Sequence, residues 1–340
     1  MTIKTINGSS SNWLRDHQAG LSKNYESALL TDFSLEYVKY LSYERVEELL
    51  QHRMGNAKLS VQHLFDMVDV YAEQIKKQQI SAINDCKSSN YACKIAAVDI
   101  YDAESEEIIY LSDGVCVTEQ KAHRDKVPKV GKERTTTNIL LLQTDPQQPQ
   151  SYTTIVPAQG VDIVDLARAE LQKAYGTRSE CLPIVCISDG ARSIKNENQA
   201  IFGYQVTHFL DWFHIQQKIA QFMSQIALNK ADKKEYFALI NSYLWAGKAI
   251  STVLVLKFMP VKNTLKRNEL IGYLEKNAEY IIDYDRRKKA NKIIGSGRTE
   301  KSNDCIVSKR QKRKGLSWSP KGSRNLDVLT AYHQYAPIAI

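Results

Sequence analysis

The first 80 residues carry apolar side chains at helical spacing and contain no strand pattern. Ser34, Ser42 and Ser60 stand before three such segments and are predicted to be their N-caps. The positions predicted to face inward are Leu35, Val38 and Leu41, then Val46, Leu49 and Leu50, then Leu64, Met67, Val68 and Tyr71. A turn at Gly55 and Asn56 joins the last two segments. Short helices joined by such a turn are typical of a DNA-binding helix-turn-helix, although any small helical hairpin has the same pattern.

The pattern changes after a polar stretch at 76–94, which is predicted to be a connector. Short β-rich runs follow, namely IIYLS, VCVTE, TTTNILLLQT and SYTTIVP, separated by polar or proline-bearing turns. An amphipathic helix is predicted over 161–175, followed by the strands CLPIVCIS and YQVTHFL, the first of them central in a sheet. From 213 to 282 the spacing is helical again. The order predicts an α/β sheet domain with helices before and after it.

Composition sets the class of protein. The 340 residues are 43% hydrophobic and 25% charged, which is ordinary for a globular protein of two or three domains. No apolar run approaches the roughly 20 residues that span a bilayer, and the N-terminus lacks the layout of a signal peptide. A cytoplasmic protein is therefore expected. The six cysteines form no C-x-x-C pair, which favours reduced thiols over disulfides or a zinc finger.

Positive charge is concentrated near the C-terminus. Between Arg286 and Arg324 there are fourteen Lys or Arg residues against Glu300 and Asp304, so this segment holds about +12. The chain as a whole has a net charge of +8, so the rest sums to about −4. Such a patch suits the phosphate backbone of a nucleic acid, because each neutralised phosphate releases counterions. A solvated or targeting-like basic tail is the alternative.

Three carboxylates stand at positions where a sheet of this order would gather them. Asp113 and Asp189 each follow an apolar run and precede glycine, and Glu300 follows Gly-Ser-Gly at the start of a predicted helix. Strand ends of an open sheet meet at one edge, and hard oxygen ligands from separate chain positions suit Mg²⁺. Two such ions at roughly 4 Å support phosphoryl transfer. Singly, each Asp-Gly is more typical of a turn, and Asp99 and Asp102 are rivals to Asp113.

These residues and their flanks resemble the bacterial insertion-sequence transposases that have a ribonuclease H-like DDE domain, in the Mutator-like branch. The resemblance covers roughly residues 108 to 335 and rests on LSDGV, ISDGARSI, LDWFH and IGSGRTEKSNDCIVSKRQKRKGLSWS. It implies that Asp113, Asp189 and Glu300 are the catalytic, metal-binding triad for two Mg²⁺ or Mn²⁺ ions. It also implies that Asp211 and His214 match the Asp-x-x-His signature of the branch. On general grounds, a lone histidine at such a junction is more often structural.

The resemblance also implies an architecture. The expected fold is a ribonuclease H-like mixed five-stranded sheet flanked by helices, with an α-helical insertion before the last catalytic residue. The predicted domains are a helix-turn-helix-like region at 1–80, a first catalytic part at 81–212, the insertion at 213–290 and a last catalytic part at 291–340. The residues expected to contact DNA are Arg298, Lys301, Lys309, Arg310, Lys312, Arg313 and Lys314. Trp212 and Trp318 are candidates for stacking on bases, unless they are buried by packing.

The function expected from these features is transposition. Such an enzyme hydrolyses a phosphodiester at the ends of the element and uses the freed 3′-hydroxyl to attack target DNA. Its partner would be double-stranded DNA, on which a homo-oligomer is expected to assemble, in a bacterial cytoplasm and at the nucleoid. Two rival functions stay open: a decayed, truncated or co-opted copy that binds DNA without catalysis, and a ribonuclease H-like nuclease or resolvase.

Overall fold

A computed structural model of the chain describes residues 28–54, 59–89, 91, 93–120, 133–148, 150–176, 181–313 and 315–334. The predicted turn at Gly55 and Asn56 and the predicted DNA contact Lys314 lie outside these ranges. None of the helices in the described ranges is both long enough and apolar enough to cross a membrane.

Three helices form the N-terminal part of the described chain: α1 (Ala28–Val38), α2 (Tyr43–Met54) and α3 (Val61–Ser88). Two of the predicted N-caps are confirmed, since the hydroxyl of Ser42 accepts from the N–H of Arg45 and that of Ser60 from the N–H of His63. Ser34 does not begin a helix. It lies inside α1, and its hydroxyl donates to the carbonyl of Leu30, four residues earlier, at 2.7 Å.

The predicted polar connector at 76–94 is wrong over most of its length, because α3 continues through it to Ser88. One side of this part of the helix is buried, with Gln79, Ile83 and Cys86 on it. The amide of Gln79 donates to the carbonyl of Val156 at 2.9 Å and accepts from the N–H of Ala158 at 2.9 Å. A polar residue is therefore buried here with both ends of its side chain hydrogen-bonded, which residue type alone does not reveal.

The six predicted β-rich runs form a mixed five-stranded sheet, and a five-stranded sheet is what was expected. Its order is β3-β2-β1-β4-β5, in which β1 pairs antiparallel with β2 and parallel with β4. The other two pairs are antiparallel β2–β3 and parallel β4–β5. The strands are β1 (Ile108–Thr118), β2 (Arg134–Gln143), β3 (Tyr152–Ile155), β4 (Ile184–Ser188) and β5 (Thr207–Leu210).

One strand boundary differs from the prediction in a way that matters for the site. The runs IIYLS and VCVTE, predicted as two strands around a turn at Asp113 and Gly114, are the two halves of β1. Pairing with β2 continues through both residues, with Asp113 opposite Ile139 and Gly114 opposite Asn138. Asp113 therefore lies within a strand, at the level where the parallel neighbour β4 has ended.

Helices cover both faces of the sheet. On one face, α3, α4 (Ile163–Tyr175) and α5 (Arg192–Phe202) pack against Ile108, Tyr110 and their neighbours. The other face carries Ile109 and Leu111 and is covered by the helices that follow β5. Because side chains alternate along a strand, Asp113 points to this second face.

The region after β5 is helical, as predicted for an insertion. It contains α6 (Trp212–Ile226), α7 (Lys230–Trp245), α8 (Ala249–Phe258), α9 (Thr264–Lys276), a 3₁₀ turn (Ala278–Tyr280) and α10 (Tyr284–Lys289). Trp212 is 5% exposed and packs against Trp245 and Tyr284, with ring centroids 4.9 Å and 5.0 Å away. Trp212 therefore belongs to the core, which supports buried packing over base stacking.

The last part of the chain is helical and crosses back to the N-terminal helices. Helix α11 (Gly297–Asn303) continues through a π-helical segment (Asp304–Ser308) into α12 (Lys309–Gln311), and α13 (Pro320–Tyr332) follows. Leu326 and Leu329 of α13 join the core formed by α1, α2 and α3. His333, just after α13, bonds to Asp32 of α1 at 2.8 Å. The N-terminal helices thus share a core with the C-terminal segment.

Candidate functional site

Asp113 and Asp189 lie at the same level of two neighbouring parallel strands. In the pairing of β1 with β4, Leu111 is opposite Ile187, and each aspartate comes two residues later in its own strand direction. Residues at equal positions of paired parallel strands point to the same face of the sheet. The strand register therefore brings the backbone of these two predicted site residues to the same edge of the sheet.

The turn after Asp189 needs its glycine. Gly190 has a φ of +81°, and a Cβ at this position would lie 2.5 Å from Cδ2 of Leu210 on β5. The carboxylate of Asp189 accepts a hydrogen bond from the N–H of Ala191 at 2.8 Å. The Ser-Asp-Gly-Ala motif is thus a strand-end turn that fixes Asp189 at the carboxyl end of β4.

Glu300 lies on α11, a helix that packs against β1 and β2. Its side chain is 56% exposed, and Oε1 lies 3.5 Å from Nε2 of His214. His214 is in the first turn of α6. The structure thus brings the predicted glutamate next to the histidine of the Asp-x-x-His motif.

The aspartate of the same motif has a structural position. Asp211 is fully buried and is the N-cap of α6, where Oδ1 accepts from the N–H groups of Phe213 at 2.6 Å and His214 at 3.2 Å. Its Oδ2 accepts from the N–H of Ser296 at 2.5 Å and from the Ser296 hydroxyl. Because Ser296 precedes α11, Asp211 connects the helix of His214 to the helix of Glu300.

The pKa of Asp113 is influenced by the other predicted site residues. Burial raises the pKa of Asp113, and the nearby carboxylates of Asp189 and Glu300 raise it as well. The N–H of Gly114 and the side chain of His214 oppose this shift. The carboxylates of Asp189 and Glu300 and the imidazole of His214 thus lie within electrostatic range of Asp113.

Asn303 is a site residue that the sequence did not bring to notice. It is 6% exposed, and its amide donates to Oδ2 of Asp113 at 2.6 Å, while the N–H of Gly114 donates to Oδ1 at 2.7 Å. The available signal was spacing, because Asn303 comes three residues after Glu300 and shares its side of α11. Both oxygens of Asp113 therefore have a hydrogen-bond donor.

The donors match a hard divalent cation in kind, since carboxylate oxygens from two strands and a helix are what Mg²⁺ or Mn²⁺ bind. Their arrangement is not that of a formed metal site. Within the described ranges, no three or more His, Cys, Asp or Glu side chains are gathered so that they could hold a metal ion. The predicted metal triad of Asp113, Asp189 and Glu300 therefore stays a prediction that requires side-chain movement from this arrangement.

The predicted DNA-contacting residues divide into two groups. Lys301, Lys309, Lys312 and Arg313 are exposed. Arg298 is half-buried, with its guanidinium bonded to Gln150 at 2.7 Å and placed over the ring of Tyr152 at 5.0 Å. These side chains offer positive charge along residues 298–313, although Lys309 is also 3.4 Å from Asp304.

Arg310 belongs to the second group, although it stands in the middle of the basic run. It is 3% exposed, donates to the carbonyl of Val38 at the end of α1, and packs over the ring of Trp318 at 4.9 Å. Its neighbour Arg313 donates to the carbonyl of Tyr40 at 3.1 Å. The predicted DNA contact at Arg310 is therefore reassigned to packing between the C-terminal segment and α1.

Asp99, Asp102 and Trp318 make contacts that are typical of structural residues. The two aspartates accept from the N–H groups of Tyr101 and Glu104, two residues further on, as aspartates in turns do. Trp318 is half-buried, and its indole donates to the carbonyl of Gln311 at 3.2 Å.

Some basic residues of the C-terminal segment are buried and form ion pairs inside the protein. Arg287 is fully buried and forms two 2.8 Å bonds to the carboxylate of Glu107, and a third of 3.0 Å to the carbonyl of Ile100. Lys292 lies 2.9 Å from the same carboxylate. This buried network joins α10 and the residues just after it to the start of β1.

Comparisons with known proteins give no family: no family model matches the chain, and no curated protein matches it. Among solved structures, it is similar to the Drosophila P element transposase strand transfer complex, with 9% identity, 95% of this chain and 82% of that chain covered, and a TM-score of 0.31. It is also similar to a pre-cleavage Mos1 transpososome, with 10% identity, coverages of 88% and 86%, and a TM-score of 0.17. At these scores the fold class rests on the chain's own strand order, which defines an α/β domain with a mixed five-stranded sheet.

Proposed function

We propose that the chain is a DDE transposase that cuts a phosphodiester at the ends of an insertion sequence and joins the freed 3′-hydroxyl to target DNA. The observation that carries the proposal is the common position of Asp113 and Asp189 on paired parallel strands, with Glu300 within electrostatic reach. The exposed cations of 298–313 support a double-stranded DNA substrate, and a homo-oligomer would hold two DNA ends together.

In this proposal Asp113, Asp189 and Glu300 would hold two Mg²⁺ or Mn²⁺ ions, which would activate the attacking oxygen and stabilise the leaving one. The chain's other residues have supporting tasks. Asn303 orients the carboxylate of Asp113, and Asp211 sets the position of α11 through Ser296. His214 lies beside Glu300, with its Nε2 3.5 Å from Oε1 of the glutamate. Lys301, Lys309 and Lys312 neutralise backbone phosphates.

The test is Glu300→Gln, which keeps the shape of the side chain and removes its charge. Strand cleavage and joining are measured with Mg²⁺ or Mn²⁺ on duplexes that carry the DNA sequences flanking the coding region. We expect cleavage to fall by orders of magnitude, while DNA binding in EDTA holds or rises slightly, because an unneutralised carboxylate repels phosphates. Glu235→Gln is the matched control, since Glu235 is exposed on α7. A Glu300→Gln protein that cleaves like the wild type would remove Glu300 from the triad.

A second candidate, DNA binding without catalysis, is favoured by one observation. Both oxygens of Asp113 already have donors, from Gly114 and Asn303, and the described side chains do not form a three-ligand metal group. Wild-type protein that binds the flanking sequences but does not cut any of them would support this candidate. Cutting without strand joining would instead support a nuclease or resolvase.

A further inference from the structure

Two lysines lie over tyrosine rings close to the turn that follows Asp189. Nζ of Lys195, on α5, is 3.5 Å from the ring centroid of Tyr280 in the 3₁₀ turn. Nζ of Lys218, on α6, is 4.3 Å from the ring centroid of Tyr273 on α9. Both rings come from the helical insertion, so this surface is formed where the insertion meets the sheet domain.

A buried asparagine joins the two pairs. Asn277 is 2% exposed, its Oδ1 accepts from Nζ of Lys195 at 2.8 Å, and its Nδ2 donates to the carbonyl of Tyr273 at 2.8 Å. The same Oδ1 would be 3.5 Å from a Cβ at Gly190, the residue after Asp189. The ammonium of Lys195 is therefore held in place beside the turn that carries Asp189.

The charge of Asp189 reaches both pairs. Burial raises the pKa of Tyr273 to about 12, and the Asp189 carboxylate contributes to this shift. Burial lowers the pKa of Lys195, with the charges of Glu279 and Asp189 acting against it. Both cation–ring pairs thus lie within electrostatic range of a proposed metal ligand.

The chemistry of this surface suits an anion that approaches Asp189. Among the residues that the structure describes, neither Lys195 nor Lys218 has a carboxylate within ion-pair distance. Lys218 is exposed, and Lys195 is half-buried with one N–H donated to Asn277. A lysine held against a ring and an amide loses less side-chain freedom when it binds a phosphate oxygen than a free one does.

We propose that Lys195 and Lys218 bind backbone phosphates of the DNA strand that passes Asp189, on the insertion side of the site. Tyr280, Tyr273 and Asn277 are positioning residues that hold these two cations. The inference rests on the proposed function for its ligand, a DNA phosphate next to the scissile bond. With it, DNA is held by two lysines at the helical insertion as well as by the exposed cations of 298–313.

The test measures DNA binding in EDTA, so that it is independent of metal and of cleavage. The affinity of a fluorescent duplex is measured over a series of salt concentrations for wild type and for Lys195→Gln/Lys218→Gln. We expect weaker binding and a salt dependence shallower by about 1.8 in log–log slope, since each lost phosphate contact removes about 0.9. Lys230→Gln/Lys234→Gln on α7 has the same change in charge and is expected to keep the wild-type slope.

Two further variants separate binding from a packing role. Tyr280→Leu removes the ring that holds Lys195 and should weaken DNA binding, whereas Tyr280→Phe keeps the ring and should bind like the wild type. Melting temperatures, measured beside the affinities, identify any variant that fails to fold. An unchanged slope in folded Lys195→Gln/Lys218→Gln protein would overturn the inference. The proposed function fails separately, through a wild type that never cleaves, because binding in EDTA does not depend on cleavage.

Discussion

Asp211 Oδ2 accepts from the backbone N–H of Ser296 at 2.5 Å, across 85 residues of sequence. The same carboxylate caps α6 through Oδ1, so one buried side chain holds the starts of two helices. The helices carry His214 and Glu300, whose side chains meet at 3.5 Å. Asp211 of the Asp-x-x-His motif therefore fixes the start of α11, and with it the position of Glu300 relative to the sheet.

Asp211→Ala is expected to destabilise the fold by about 2–4 kcal/mol, because it removes a helix cap and leaves buried N–H groups without an acceptor. Asp211→Asn keeps an acceptor oxygen for the cap and should lose less. Urea unfolding of the two variants beside the wild type measures both values. A midpoint for Asp211→Ala equal to that of the wild type would show that Ser296 and α6 are held by other contacts.

The approach of α11 to α6 explains the first glycine of the Gly-Ser-Gly motif. A Cβ at Gly295 would lie 2.5 Å from Cδ2 of Phe213 and 3.2 Å from Oδ1 of Asp211, whereas a Cβ at Gly297 would meet no atom within 4 Å. Gly295→Ala is expected to lower the melting temperature, while Gly297→Ala should leave it unchanged or raise it slightly, since alanine favours a helix.

Phe213 supplies the control for this steric argument. Its ring is largely exposed, so Phe213→Ala removes the clash at modest cost in buried surface. In the Phe213→Ala background, Gly295→Ala should cost clearly less stability than in the wild type. Equal losses in the two backgrounds, measured by thermal unfolding, would show that the glycine is needed for another reason.

A buried acid outside the site predicts a pH effect on stability. Asp327 is fully buried on α13, accepts from Thr137 and Gln311 at 2.5 Å, and has the guanidinium of Arg324 nearby. Burial raises its pKa from 3.8 to about 7, with Thr137, Arg324 and Gln311 acting against the shift. The folded protein thus keeps this proton over a range where the unfolded chain has released it.

The direction of the change in stability with pH follows from which state binds the proton more tightly. The stabilising contribution of protonated Asp327 is complete below about pH 4 and is lost as the pH rises to about 7, with a limit of about 4 kcal/mol. Asp327→Asn should remove this loss and make the protein more stable than the wild type at pH 8. Unfolding midpoints at several pH values measure it, with the exposed Asp66→Asn as control. A parallel pH dependence in wild type and Asp327→Asn would contradict the assignment.

Much of the sheet could be predicted from sequence because its strands are apolar runs with β-branched residues, bounded by turn residues. Asp113 was misplaced at a strand end because Asp-Gly is a common turn, whereas here Gly114 is a strand residue opposite Asn138. Its level relative to Asp189 depends on strand register, which a single strand's sequence does not contain.

The positions of charged and amide side chains were harder to predict. In the sequence, Arg287 and Arg310 cannot be told apart from exposed arginines. Only the fold shows that they are buried, against Glu107 and Val38 respectively. Asn303 is equally inconspicuous in sequence, because its role comes from the packing of α11 on β1. Residue type predicts the charge of a segment, while tertiary contacts decide which charges reach the surface.

Two adjacent residues of the basic segment test this division. Lys309 is 62% exposed on its side chain, and Arg310 is 3% exposed with its guanidinium on Val38 and Trp318. Each can be changed to glutamine with the same loss of one positive charge. If tertiary contacts decide the role, the two variants should fail in different assays.

Lys309→Gln is expected to keep the wild-type melting temperature and to reduce the log–log salt slope of DNA binding by about 0.9. Arg310→Gln should be less stable by about 1–3 kcal/mol, because a buried carbonyl loses its charged donor and the ring of Trp318 loses its packing partner. Where Arg310→Gln remains folded, its salt slope should match the wild type, since a buried guanidinium reaches no phosphate. A reduced slope with unchanged stability would return Arg310 to the DNA-contacting set, because the guanidinium would then have to leave Val38 and reach the backbone.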